Sequence, residues 1–211
     1  SEYLPDTVAS IAYWDGAQFL STSQALQSDA YRRGQVRVTY RGGLVVTANL
    51  NETENWTVTQ AGKQHVLPPF GWVITGGKSG VTAYSALVDD KRMDFVQCPD
   101  YVYLNGGELA RRVGPLEVQG AAWLKREGKG WLVIPCGKLG QWDKDWRVEK
   151  NPADRGTPLL IVDLPALGLK GAQVTGLAEM GETTAAQTEA LADGRLKITT
   201  GEQVRAYRLQ P

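Results

Sequence analysis

The 211-residue sequence contains a single histidine, His65, and only two cysteines, Cys98 and Cys136. One imidazole excludes mechanisms that need two, including most histidine-rich metal sites. Two widely separated cysteines cannot form a cysteine-rich zinc site, because their spacing is far from that of a CxxC motif. They are compatible with a disulfide in an exported protein or with two buried free thiols. The sequence therefore predicts neither a metal nor a cofactor.

The sequence also lacks an excess of either charge and any long apolar segment. It has 23 Lys+Arg and 23 Asp+Glu, so its formal net charge is zero. Nucleic-acid-binding proteins usually carry a clear basic excess, so nucleic acid is not expected as a partner. No apolar run approaches the roughly 18 residues that a membrane helix needs, and no membrane span is predicted. The chain begins Ser-Glu-Tyr-Leu-Pro, without an initiator methionine or a signal peptide, as expected of a processed form or a fragment.

Turn residues and short strand patterns are what the sequence has in quantity. It contains 24 Gly and 10 Pro, and 42% of its residues are hydrophobic, enough for a packed core. Gln35–Tyr40 alternates polar and apolar residues, Arg41–Gly43 follows as a hairpin turn, and Leu44–Leu50 is the predicted partner strand. Similar pairs recur to the end of the chain. The pattern predicts an all-β fold and excludes parallel α/β folds with crossover helices.

We expect two antiparallel β-sandwich domains of immunoglobulin-like or jelly-roll-like form. Gly114-Pro115 is the predicted boundary, which gives an N-terminal domain of residues 1–113 and a C-terminal domain of residues 114–211. One short helix is predicted near residues 22–30, because hydroxyl residues that favour an N-cap precede good helix formers there.

The most informative residue type is tryptophan, of which there are seven. Trp142, Asp143, Asp145 and Trp146 place two indoles and two carboxylates in one polar, loop-like segment. Aromatic faces stack on the apolar side of sugar rings, and nearby carboxylates accept hydrogen bonds from sugar hydroxyls. The segment therefore predicts a carbohydrate contact. The alternative, that these indoles cover the second sandwich or seal a domain interface, stays open, because burial is the usual role of Trp.

Three other sets of residues have a simpler interpretation than catalysis. Asp89 and Asp90 fit a solvated turn better than a catalytic pair, since adjacent strand residues point to opposite faces. His65 has no Gly-x-Ser-x-Gly elbow to supply a nucleophile and fits a half-exposed sheet residue. Gly76–Gly80 lacks the first glycine of a phosphate loop and fits a hairpin connection. No catalytic residue is predicted.

Several segments resemble the accessory β-sandwich domains that follow the catalytic barrel in bacterial glycoside hydrolases. Val36–Leu50 resembles a strand, a Tyr-x-x-Gly turn and a second strand ending in Asn that lead into a Trp. Leu67–Trp72 is similar to a Leu-Pro-Pro-x-Gly corner of that sandwich, and Tyr101–Tyr103 to its closing strand. The resembling segments of the second half are Ile161–Leu169, Asp193–Ile198 and Val204–Leu209.

The resemblance implies a non-catalytic C-terminal region of a glycoside hydrolase that packs on, or supports, a catalytic domain. It implies that upstream domain of the same polypeptide as a partner, polysaccharide as a further partner, and a secreted or periplasmic location in a bacterium. No catalytic carboxylate is carried over, because the barrel that would hold it is not in the chain. Two alternatives stay open: a carbohydrate-binding module that uses Trp142 and Trp146, and a self-contained β-sandwich hydrolase or lyase that uses Asp143 or Asp145.

Overall fold

The computed structural model describes residues 6–136, 157–178, 180–201 and 203–211. Within these ranges most residues lie in antiparallel β-strands, so the predicted all-β class is confirmed. The same ranges contain one α-helix, α1 (Thr22–Gln27), and none of their helices is long and apolar enough to cross a membrane. The chain divides into two compact units, Ser1–Pro99 (unit 1) and Asp100–Pro211 (unit 2).

The strands of unit 1 are mostly short, as the turn residues require. They are β1 (Val8–Trp14), β2 (Phe19–Ser21), β3 (Gln35–Tyr40), β4 (Val45–Asn49), β5 (Trp56–Gln60), β6 (Lys63–Leu67), β7 (Trp72–Gly76), β8 (Val81–Val88) and β9 (Lys91–Cys98). Helix α1 begins at the predicted hydroxyl cap. The Ser21 hydroxyl accepts from the Gln24 amide at 3.4 Å, and the Gln24 side chain accepts from the Ser21 amide at 3.0 Å.

In unit 1 the strands pair in the order β2-β1-β3-β4-β7-β8-β9, antiparallel throughout. Strands β5 and β6 form a hairpin, which joins this sheet where Val66 lies opposite Leu87 of β8. Residues of β5 are alternately buried and exposed. The buried residues of the hairpin, among them Trp56 and Leu67, pack with Val73 of the sheet. The hairpin therefore covers one face of the sheet.

A buried polar group fixes the position of this hairpin. The side-chain amide of Gln60, at the end of β5, donates to the Val45 carbonyl at 3.1 Å and to the Thr75 hydroxyl at 3.0 Å. Its oxygen accepts a hydrogen bond from the Thr47 hydroxyl at 2.6 Å. Because an unpaired buried amide is costly, a shift of the hairpin along the sheet would lose these bonds and be penalised.

Unit 2 contains two long strands and several short ones. They are β10 (Tyr101–Val113), β11 (Leu116–Glu127), β12 (Gly130–Cys136), β13 (Leu159–Asp163), β14 (Gln173–Leu177), β15 (Thr183–Ala185), β16 (Gln187–Ala190), β17 (Arg195–Thr199) and β18 (Ala206–Gln210).

Strand β11 organises unit 2. One of its edges pairs with β10, and its other edge pairs first with β13 through Leu116–Gln119 and then with β12 through Ala121–Glu127. Gly120, between these two stretches, has φ +90°, a value that L side chains rarely adopt. The sheet thus divides at Gly120 into two rows, β11-β12-β18-β14-β15 and β11-β13-β17-β16. The candidate site lies on the first row and on the adjoining strand β10.

The division between the units differs from the predicted one at Gly114-Pro115. These two residues form the turn of the β10–β11 hairpin, where Val113 lies opposite Leu116. The boundary between the two compact units falls instead between Pro99 and Asp100 in the sequence, immediately before β10. A Gly-Pro pair favours a chain reversal equally well inside a domain and between domains, so the sequence could not distinguish the two cases.

Candidate functional site

The four residues predicted to contact carbohydrate, Trp142, Asp143, Asp145 and Trp146, lie outside the described residues. The described chain ends at Cys136 and resumes at Thr157. The Thr157 hydroxyl lies 3.0 Å from the carbonyl oxygen of Ala121 and 3.3 Å from that of Cys136. Cys136 and Thr157 therefore both lie beside the same part of strand β11.

A group of three aromatic side chains lies on β10 and β11 near this point. Tyr101 and Tyr103 are two residues apart on β10, so their side chains share one face of the sheet. Trp123 of β11 lies directly opposite Tyr103. The Trp123 ring centroid is 5.2 Å from that of Tyr101, at 88° between planes, and 5.4 Å from that of Tyr103, at 71°. We call these three residues the Trp123 cluster.

The geometry of the Trp123 cluster is that of edge-to-face aromatic contacts. Such pairs are worth about 0.5–1.5 kcal/mol beyond their buried area, and cross-strand positions bring them together without a rearrangement of the backbone. Trp123 nevertheless remains 40% exposed, while both tyrosines are half-buried. The two tyrosines therefore hold the orientation of an indole that is still accessible to a ligand.

The residues around the Trp123 cluster follow from the strand register. Ile134 of β12 lies opposite Trp123, and Lys125 lies opposite both Tyr101 and Leu132. Arg208 of β18 lies opposite Leu132. Since opposing residues of antiparallel strands share a face, these side chains extend the surface across the sheet. We call this surface, with the cluster and Glu127, the Trp123 face.

The electrostatics of the Trp123 face are set by one ion pair and one further cation. The Arg208 Nε atom donates to a Glu127 carboxylate oxygen at 2.6 Å. This hydrogen bond, more than the neighbouring charges of Arg208 and Lys125, holds the pKa of Glu127 below its usual range. Glu127 is therefore ionised at neutral pH and bound to Arg208.

The outward surface of β13 and β17 has a different character. Its charged side chains form cross-strand ion pairs, as is typical of a solvated sheet surface. These pairs are Arg112 with Asp163 at 3.0 Å, Arg195 with Glu117, and Lys197 with Glu189 at 3.2 Å, and Arg195 also binds Asp193 in the turn before β17. On the Trp123 face, aromatic and aliphatic side chains occupy the cross-strand positions that charged pairs occupy on the other surface. The Trp123 face therefore differs from an ordinary solvated sheet surface.

The structure places the other residues considered in the sequence in two turns and on one strand. Asp89 and Asp90 form the exposed tip of the β8–β9 hairpin, with φ values of 48° and 58°. His65 lies half-buried on β6 with its ring 5.4 Å from that of Tyr84, and burial, followed by the charge of Lys63, lowers its pKa. The glycine-rich segment after Gly76 connects β7 to β8 as a hairpin.

The donors needed for a metal or a disulfide are not assembled in the described part of the chain. No group of three or more His, Cys, Asp or Glu side chains there is close enough to hold a metal ion. Cys98 and Cys136 are both free thiols. Burial raises the pKa of Cys136 to about 11, so its thiol is protonated at neutral pH.

Sequence reasoning did not identify Trp123, Tyr101 or Tyr103 as site residues. The spacing of Tyr101 and Tyr103 does place both rings on one face of a strand. The pairing that brings Trp123 between them depends on the register of the β10–β11 hairpin, which two bulges in β10 alter.

Comparisons of the chain with protein-family models, with curated proteins and with solved structures gave no match.

Proposed function

We propose that this chain is a non-catalytic, all-β region of a bacterial, secreted or periplasmic glycoside hydrolase, and that unit 2 contacts polysaccharide through the Trp123 cluster. The observation that carries the proposal is an exposed indole in edge-to-face contact with two tyrosines on one face of the sheet. Catalysis belongs, in this proposal, to another domain of the same polypeptide.

The chemistry of sugar rings matches this face. A pyranose ring presents axial C–H groups that pack on an aromatic face, while its hydroxyls need polar partners. Trp123 supplies the aromatic surface, and exposed Lys125 supplies a donor two residues further along the strand. Trp142 and Trp146, with Asp143 and Asp145, remain predicted contributors to the same activity.

The β-sandwich form of both units is also part of the proposal. In unit 2 the buried Tyr207 hydroxyl donates to the Thr199 carbonyl at 3.1 Å and accepts from the Gly201 amide at 2.9 Å. This contact is similar to the tyrosine corner of Greek-key sandwiches. In unit 1 the packing of the β5–β6 hairpin on the sheet supports two layers.

A polysaccharide-binding assay with matched variants tests the proposal. Affinity electrophoresis through gels that contain a panel of soluble plant and bacterial polysaccharides would be run for the native chain, Trp123→Ala and Trp146→Ala. We expect retardation by at least one polymer and binding at least about tenfold weaker in Trp123→Ala, as for a central aromatic anchor. Phe70→Ala, which removes a 57% exposed ring from unit 1, is the control and should bind normally.

Two results would contradict the proposed site. Unchanged binding in Trp123→Ala with lost binding in Trp146→Ala would move the contact to the predicted segment. Retardation by none of the polymers would remove polysaccharide contact altogether.

A second role, support of a neighbouring domain, is favoured by an apolar corner in unit 1. Leu50 and Phe70 are 55% and 57% exposed. The residues next to them are hydrogen-bonded, since the Asn49 amide donates to the Gly71 carbonyl at 2.8 Å, so the two segments that carry Leu50 and Phe70 run side by side. Two large exposed apolar side chains at one place are typical of a protein contact.

The backbone at Phe70 strengthens this second role. Phe70 has φ +59°, in a turn closed by a 2.7 Å bond from the Gly71 amide to the Pro68 carbonyl. Glycine or asparagine normally occupies that turn position, and another residue costs about 1 kcal/mol or more there. An Arg92 guanidinium NH2 group holds the Phe70 carbonyl at 3.1 Å. The chain thus keeps an exposed ring in a strained turn, which favours a role for the ring itself.

Hydrogen exchange tests the supporting role. The amides next to Leu50 and Phe70 should exchange more slowly in the longer polypeptide that contains the catalytic domain than in this chain alone. Equal exchange in both would contradict a domain contact at this corner. Phe70→Ser should weaken protection in the longer polypeptide, whereas Leu26→Ser, at another exposed apolar residue, should not.

A further inference from the structure

The next inference rests on the proposed polysaccharide contact and concerns the class of polymer. We infer that the ligand of the Trp123 face is an acidic polysaccharide, whose uronate carboxylates lie against Lys125 while its sugar rings pack on Trp123. The juxtaposition of an accessible indole with an adjacent surplus cation carries the inference.

The strand register places the cation beside the aromatic cluster. Lys125 follows Trp123 by two residues on β11, so both side chains point to the same face about 6.6–6.8 Å apart along the strand. Lys125 also lies directly opposite Tyr101. A sugar ring on the indole would therefore have a carboxylate substituent within reach of the flexible lysine side chain.

The charges of the Trp123 face do not cancel. Its described charged residues are Lys125, Arg208 and Glu127, and Arg208 is bound to Glu127 at 2.6 Å. Lys125 is the surplus charge, although the whole chain has a formal net charge of zero. On the outward surface of β13 and β17, by contrast, Lys197 is paired with Glu189 at 3.2 Å. One net positive charge thus lies next to the exposed indole, where it attracts an anionic ligand.

A single-stranded nucleic acid is the other anionic polymer that uses aromatic side chains, but it fits less well. Such sites present several aromatic faces to successive bases within a groove of many cations. Here the two tyrosines contact Trp123 edge-on, and one surplus lysine accompanies them. One surplus cation beside one accessible indole matches a single uronate residue, whose ring packs on the indole while its carboxylate reaches the lysine.

The test compares two forms of one polymer. Binding of polygalacturonate and of its methyl-esterified form, which has the same backbone without the charge, would be measured by affinity electrophoresis at low salt. The variants are Lys125→Gln, Lys125→Glu and Trp123→Ala. Lys197→Gln is the control, since it makes the same charge change on the other outward surface of unit 2.

We expect the native chain to bind the acidic form more tightly. Lys125→Gln should weaken that binding about two- to fivefold, the range for one exposed ion pair, and Lys125→Glu should weaken it further. Neither variant should alter binding to the ester, and 1 M salt should remove the preference. Trp123→Ala should weaken binding to both forms, and Lys197→Gln to neither.

Three outcomes would overturn the inference. Equal affinity for both forms, unchanged by Lys125→Gln, would leave the polysaccharide contact intact but remove the acidic class. Tighter, Trp123-dependent binding of an oligothymidylate probe would assign the face to nucleic acid. Binding of neither form of polygalacturonate would overturn it as well. If the wider panel of polymers also failed to bind, the proposed polysaccharide contact would be contradicted as well.

Discussion

Trp123 and Tyr103 lie directly opposite each other on neighbouring strands, with their ring centroids 5.4 Å apart. The contact orients the Trp123 ring, which is nevertheless 40% exposed. A core tryptophan such as Trp56, by contrast, packs with Trp14 and Phe19 in the interior of unit 1. Replacement of the two kinds of tryptophan is therefore expected to change the free energy of unfolding by different amounts.

Replacement of each tryptophan by alanine should separate the two roles. Trp56→Ala should lower the free energy of unfolding of unit 1 by about 3–5 kcal/mol, because it leaves a cavity in the core. Trp123→Ala should cost about 1 kcal/mol in unit 2, the value of its aromatic contacts. Urea unfolding of both variants measures the difference. A loss of several kcal/mol for Trp123→Ala would mean that its ring is a core element.

Asn49 is expected to be among the most sensitive positions in unit 1. Its fully buried side-chain nitrogen donates to the carbonyls of Glu54 at 2.8 Å, Leu67 at 3.0 Å and Pro68 at 3.1 Å. Asn49→Ala leaves these acceptors without the donor and should cost about 2–4 kcal/mol in urea unfolding. The exposed Asn55→Ala is the control and should stay within about 0.5 kcal/mol of the native chain. Similar midpoints for the two variants would contradict this role.

The stability of unit 1 should depend on pH through His65. Burial lowers the pKa of this histidine in the folded state, so the unfolded chain binds the proton more readily. The resulting stability is fully present above the unfolded pKa of about 6.5 and falls as pH decreases through that value towards the folded pKa. The urea midpoint should therefore be lower at pH 5 than at pH 7. In His65→Gln the decrease should be smaller, and an equal decrease would exclude His65 as its source.

Cys136 should be unreactive in the folded protein. Burial raises its pKa to about 11, and its thiol lies 3.7 Å from the Ile134 carbonyl oxygen. Since the thiolate is the reactive form, little of it is present at pH 8. In a Cys98→Ser background, Ellman's reagent should react slowly with native protein and rapidly in 6 M guanidinium chloride. Rapid reaction of native protein would show an accessible thiolate at Cys136.

Much of the local structure could be predicted because it depends on neighbouring residues. Alternation in Gln35–Tyr40 predicts a strand, and the structure has β3 over that range. The hydroxyl cap predicts helix α1, which begins at the predicted place. The Asp89-Asp90 pair predicts a turn, because both residues tolerate the left-handed backbone conformation found there.

Longer-range features could not be predicted in this way. The Gly114-Pro115 signal is a turn in either context, and only the pairing of β10 with β11 shows that it lies inside unit 2. The predicted site residues Trp142 and Trp146 stay predictions, because they lie outside the described residues. Trp123 could not be identified as a site residue from the sequence, because its contacts depend on a partner strand and not on its neighbours along the chain.

The sequence by itself determined the all-β class, most of the turns and the start of the helix, since these follow from residue-by-residue preferences for backbone conformation. Only the tertiary structure decided which strands pair and in which register. That register places Trp123 between Tyr101 and Tyr103 and puts Lys125 beside them. A shift of one residue would move every side chain of β11 to the other face of the sheet. The candidate site therefore exists through strand pairing, for which no local pattern in the sequence is sufficient.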